Sequence, residues 1–97
     1  MWFDGFDWDS GNGEKCQMHG VSVAEIESLF DRSVLIGPDT AHSIGEQRYR
    51  AIGTSSVGRN VFLVFTWRTK AGQRRLRPIS ARYMHAKEVA KHAQKIP

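Results

Sequence analysis

A chain of 97 residues has room for one hydrophobic core, so a single domain spanning residues 1–97 is expected. With 40% hydrophobic and 25% charged residues the composition excludes wholesale disorder. The longest apolar run covers only residues 61–65 and the opening Met1-Trp2-Phe3-Asp4 lacks a basic leader, so a cytoplasmic protein with no membrane partner is expected. Charge is divided by position: residues 1–47 carry nine acids and two bases, net −7, whereas residues 48–97 carry twelve bases and one acid, Glu88, net +11. A cationic half of that strength points to a polyanion or an acidic protein as partner.

Phe3-Asp4-Gly5-Phe6-Asp7-Trp8 alternates apolar and acidic residues and predicts a short opening strand, broken by Asp9-Ser10-Gly11-Asn12-Gly13. A short helix is predicted over 14–19, with Gly20 just past its end. The next helix has a capping box, Ser22-Val23-Ala24-Glu25, a staple of Val21 with Ile26, and an apolar stripe of Val23, Ile26, Leu29 and Phe30. Residues 34–36 read as a brief strand closed by Gly37-Pro38, followed by polar loop over 39–45. Three longer strands are predicted at 48–53, 60–68 and 74–82, with turns at 55–58 and 70–73 too short for crossover helices, so the pairing is antiparallel. Val61-Phe62-Leu63-Val64-Phe65 has no polar alternation and belongs in the middle of the sheet; Pro78 places its strand at an edge or at a bulge. Residues 83–96 turn helical, with His85, Val89, His92 and Ile96 on one stripe and Lys87, Lys91 and Lys95 on another. The expected class is α+β, an antiparallel sheet with two N-terminal helices and one C-terminal helix in the order β-α-α-β-β-β-β-α.

Most chemistries lack their residues. The histidines at 19, 42, 85 and 92 form no His-x-x-x-His pair and Cys16 is alone, so no metal site, no disulfide and no cofactor is expected; there is no Gly-x-Ser-x-Gly and no Walker spacing. What remains suits metal-free cleavage of RNA, which needs a proton acceptor for the 2′-hydroxyl, cations for the charge gathering on phosphorus oxygens, and a proton for the leaving oxygen. Glu46 or His19 is the candidate base, Arg48, Arg77 and Arg82 are candidate phosphate clamps, and Lys15 adds a point charge. Arg50, Arg75 and Lys87 are candidate RNA-binding positions. Each also has a plain structural reading: His19 capping helical carbonyls, Glu46 pairing with Arg48 across a turn, Arg77 and Arg82 covering a sheet edge with their stems.

Phe6-Asp7-Trp8-Asp9, Gly11-Asn12, Glu14-Lys15, His19-Gly20-Val21-Ser22, Leu29-Phe30, Glu46-x-Arg48-Tyr49, Ala51-Ile52-Gly53 and Arg77-Pro78-Ile79-Ser80-Ala81-Arg82-Tyr83-Met84-His85 with Lys87-Glu88 together resemble the BrnT family of ribonuclease toxins. The resemblance implies a RelE-like fold and an endoribonuclease toxin of a type II toxin–antitoxin system that halts growth. It implies a BrnA-like antitoxin with a ribbon-helix-helix domain as inhibitor, and contact with operator DNA only through that complex. It also implies that Lys15, His19, Glu46, Arg48, Arg77 and Arg82 stand at the family's cationic and acid–base positions. Gly13, Met18 and Ala86 stand where the family commonly has basic residues, which leaves a catalytically weakened module that only binds its antitoxin or nucleic acid as the alternative. An independent DNA-binding regulator is disfavoured by the absence of a helix-turn-helix pattern.

Overall fold

The computed structural model describes residues 2–92. Its elements are α1 (Ser10–Gln17), α2 (Val23–Ser28), β1 (Leu35–Pro38), β2 (Tyr49–Thr54), β3 (Asn60–Lys70), β4 (Gln73–Tyr83) and α3 (Ala86–His92), with 3-10 turns at Leu29–Asp31 and Thr40–His42. The four strands form one antiparallel sheet in the order β1-β2-β3-β4, so the expected α+β class and the two-helix, sheet, helix sequence hold.

The opening strand is reduced to one parallel bridge, Phe6 with Leu76, with Asp4 N donating to Arg74 O, Leu76 N to Gly5 O and Asp7 N to Leu76 O. The segment therefore lies along the outer edge of β4 and covers it there. The first helix starts four residues earlier than its predicted start at 14, because the supposed breaker is a cap. The Asp9 carboxylate accepts from Asn12 N and the Asn12 side-chain oxygen accepts from Asp9 N. Asn12 Nδ2 donates to the carbonyls of Asp7 and Pro78, so a helix of poor intrinsic propensity is tied to β4 by a buried amide.

In α2, Ser22 Oγ accepts from Glu25 N as expected, but the Glu25 carboxylate does not return to the cap. It lies buried and accepts from Ser55 Oγ at 2.9 Å and from the Tyr83 hydroxyl, joining α2 to the β2–β3 connection and the end of β4. Gly37 and Pro38 belong to β1 rather than ending it before residue 37. The tight turn at Ala71-Gly72 has positive φ at both central residues (52° and 77°), the geometry whose twist matches a two-residue hairpin. Pro78 sits as expected: on an edge strand, where the register skips from Val64↔Ser80 to Phe65↔Pro78 around the extra residue Ile79. The last helix begins at Ala86, because Tyr83 still belongs to β4 and His85 N donates to the Glu88 carboxylate ahead of the first turn; Lys95 and Ile96 lie outside the described residues.

The two faces of the sheet differ. Val61, Leu63, Phe65 and Trp67 of β3, with Ala51, Leu76 and Ala81, face α1 and α2 and pack with Phe3, Cys16, Val21, Ile26 and Leu29. Phe3, Phe6, Phe30, Phe65 and Trp67 meet there with ring centroids 5.3–6.1 Å apart. The alternate residues of β3, Phe62, Val64, Thr66 and Arg68, point the other way.

Candidate RNA-facing site

The register places six arginines, Arg68 among them, on the face opposite the core. Arg50 lies opposite Val64, Arg75 opposite Arg68, Arg77 opposite Thr66, and Arg82 opposite Phe62. Arg48 stands one residue before β2 and continues the alternation of Arg50. Part of the cationic half of the sequence thus shares one side of rigid backbone, whereas Arg74 stacks on Trp67 of the core face and Arg59 on Tyr83. Helix α3 returns over part of this face, where His92, Leu35, Ile36, Gly37, Arg50 and Ile52 enclose a hollow of about 220 Å³.

A second hollow, of about 190 Å³, lies between β3, β4 and the turn after α1. Phe62, Val64 and Ala81 form its floor, and His19, Ser80 and Arg82 its polar rim. His19 reaches it because α1 stops at Gln17 and Gly20 turns the chain at φ 91°. The Tyr83 hydroxyl, whose proton goes to Glu25, lies 3.4 Å from Gly20 O.

Arg82 is held on two sides. Its Nη1 and Nη2 donate to the two Glu88 carboxylate oxygens at 2.7 and 2.8 Å, and its guanidinium lies 4.7 Å from the Phe62 ring centroid. Glu88 also accepts from His85 N at the start of α3. The Arg82 hydrogen bonds, with that from His85 N, hold the Glu88 carboxyl down at about 2, and the same bonds raise the guanidinium pKa above its usual value.

Arg77 is enclosed differently. Its Nη1 donates to Asp7 at 3.3 Å and its Nη2 to Asp9 at 2.9 Å, while Lys70 takes the other oxygen of the buried Asp7. Burial alone would depress this guanidinium, but the bonds to Asp9 and Asp7 outweigh it and raise its pKa. The Lys70 contact in turn lowers the Asp7 carboxyl against the opposing effect of its burial.

Of the residues singled out from sequence, the fold brings His19 and Arg82 to one hollow. Arg77 is on the same face of the same strand, but four β3 residues separate its row from that of Arg82, a spacing of about 13 Å. Glu46 bonds Arg68 at 3.1 Å rather than Arg48. Arg75 donates from Nη2 to Gln73, and the Nε atoms of Arg48 and Arg75 are buried without a hydrogen-bond partner among the described residues. Lys15 and Lys87 are exposed on α1 and α3. Sequence reasoning missed Asp7 and Asp9 as the partners of Arg77, and it left Glu88 out of the site. The signal for Glu88 is its place three residues after His85, where a carboxylate caps a helix start and can reach back to the strand.

Among the described residues no group of three His, Cys, Asp or Glu side chains gathers as metal ligands do, and no helix is long and apolar enough to cross a membrane. A small α+β domain whose sheet face, partly covered by α3, carries a row of arginines and two hollows each lined by a histidine has the surface chemistry expected of a protein that meets a phosphate backbone. Residues 8–88 match the model of the ribonuclease toxin BrnT of type II toxin–antitoxin systems, and the chain belongs to that family. No curated protein matches it. Membership implies a protein antitoxin as partner.

Proposed function

We propose that this chain is a metal-independent endoribonuclease that arrests growth and is neutralised by a cognate BrnA-like antitoxin carrying a ribbon-helix-helix domain. The observation that carries the reading is the shared hollow of His19 and Arg82 on the arginine-bearing face. A phosphodiester entering there meets a guanidinium for its non-bridging oxygens and an imidazole within the same hollow. His19 takes the 2′-hydroxyl proton, the 2′-oxygen attacks phosphorus, and the bond to the 5′-oxygen breaks as that oxygen takes a proton from water, leaving a 2′,3′-cyclic phosphate and a 5′-hydroxyl. Arg50, Arg75, Arg48 and Lys87 hold the flanking backbone, and Lys15 adds charge at the α1 side. Glu46, engaged with Arg68 beyond the Arg77 row, is the less favoured base. An acidic antitoxin segment laid on the same face would compete with RNA for it.

One observation favours a weakened relative that binds without cutting: Met18, 69% exposed beside His19, offers no charge where the family commonly has a cation. Cleavage of a model RNA in excess EDTA separates the two readings. Wild type is expected to cut, and Arg82→Ala and His19→Ala to lower cleavage by about 100-fold or more and to relieve growth arrest. A purified protein that binds RNA but cuts none, or variants that remain as toxic as wild type, would reject hydrolysis.

A further inference from the structure

We infer that Glu88 is a positioning residue for Arg82: by clamping one edge of the guanidinium it turns the other edge toward the phosphate in the His19 hollow. The inference rests on the ribonuclease reading and adds a residue to it. A guanidinium has five N–H donors arranged along fixed edges. Glu88 takes the end edge, one hydrogen from Nη1 and one from Nη2, and the remaining Nη1 hydrogen faces Tyr83 O at 3.5 Å. The side edge, Nε with the second Nη2 hydrogen, makes no hydrogen bond among the described residues, and Arg82 lines the hollow beside His19 and Ser80. That edge has the spacing for two oxygens of one phosphate. Phe62 lies against the guanidinium plane, so rotation and tilt are restrained by different groups.

Glu88 itself is held. Its Oε1 accepts from His85 N as well as from Arg82, so the carboxylate is fixed by the first turn of α3 and not by Arg82 alone. Glu88 does not line the hollow, so its carboxylate does not stand where a phosphate would lie. Helix α3 thereby transmits its placement to a strand residue six positions earlier.

The test is a double-mutant cycle on full-length protein. Glu88→Gln keeps an acceptor for His85 N and so preserves the start of α3, which circular dichroism checks. In this variant kcat is expected to fall about 10- to 100-fold with KM changed far less, because misaimed donors lose transition-state contacts first. In an Arg82→Ala background the same change is expected to have no further effect on kcat. A rise in kcat, an unchanged kcat, or an equal loss in both backgrounds would overturn the inference.

A second measurement does not need turnover. In wild type the Arg82 Nε–H NMR signal is expected to shift on addition of a non-cleavable 2′-deoxy oligonucleotide, and to lose its single sharp position in Glu88→Gln. An Arg82 signal that ignores bound oligonucleotide would overturn the clamp. If wild type cuts no RNA while this signal responds, the ribonuclease reading fails and the clamp stands.

Discussion

Arg77 and Arg82 leave the same face of the same strand, and in the sequence they look interchangeable. Their surroundings separate them. Arg77 is 21% exposed and bridges Asp7 and Asp9, so both its terminal nitrogens are spent on binding the N-terminal segment and the cap of α1 to β4. Arg82 is 39% exposed, meets one carboxylate end-on, and lines a hollow with an imidazole. The difference teaches that the number of anionic partners around an arginine, more than its strand or its face, decides whether its donors are all spent on the fold or some are left unspent.

The widest separation between the two should appear in paired assays. Arg82→Ala is expected to lower cleavage by about 10²–10³-fold while costing under about 1 kcal/mol in urea unfolding, as for a partly exposed ion pair. Arg77→Ala is expected to cost about 2 kcal/mol, below the ~3–5 of a fully buried pair because Lys70 still faces Asp7. Equal stability losses from the two variants would erase the distinction.

A gain of a few-fold in cleavage is expected when Met18→Lys and Ala86→Arg are combined, since each restores one cation beside the hollow or at the start of α3. No gain from the pair would mean that charge at these positions is irrelevant to the site. A smaller effect follows from acid. The folded-state pKa of Glu88 is lowered from its ordinary 4.5 to about 2, so its contribution is complete above about pH 4.5 and disappears as the pH falls toward 2. The stability gap between wild type and Glu88→Gln should therefore close over that window, and a gap that persists at pH 2 would contradict the pairing. Least affected of all is Cys16, whose thiol is pushed up to about 11 by burial despite the nearby charges of Lys15 and Arg77. Native protein at neutral pH should resist iodoacetamide until urea unfolds it; rapid labelling would show that α1 is not seated on the core.

The sheet was legible because its signals are local: an unbroken apolar run for β3, a serine cap for α2, glycine at the hairpin turn and proline at the bulged edge. What escaped was decided at a distance. Asp9-Ser10-Gly11-Asn12-Gly13 has the composition of a break, yet it begins a helix because the Asn12 amide finds Pro78 O, 66 residues away. Glu25 fits the capping pattern, but the Tyr83 hydroxyl 58 residues on offers its carboxylate a better place than its own helix start. The site behaved likewise: the arginines could be assigned to strands, whereas their choice of acid partner could not. Glu46 went to Arg68 rather than Arg48, and Asp7 and Asp9 took Arg77.

The N-terminal segment laid along β4 has one more effect. Its bonds to Arg74 and Leu76 leave less of that strand's backbone for an incoming chain, and Pro78 has no amide to offer beyond them. At the opposite margin β1 spans four residues and ends in a proline. Between them these margins leave cross-β stacking little free backbone to grow from.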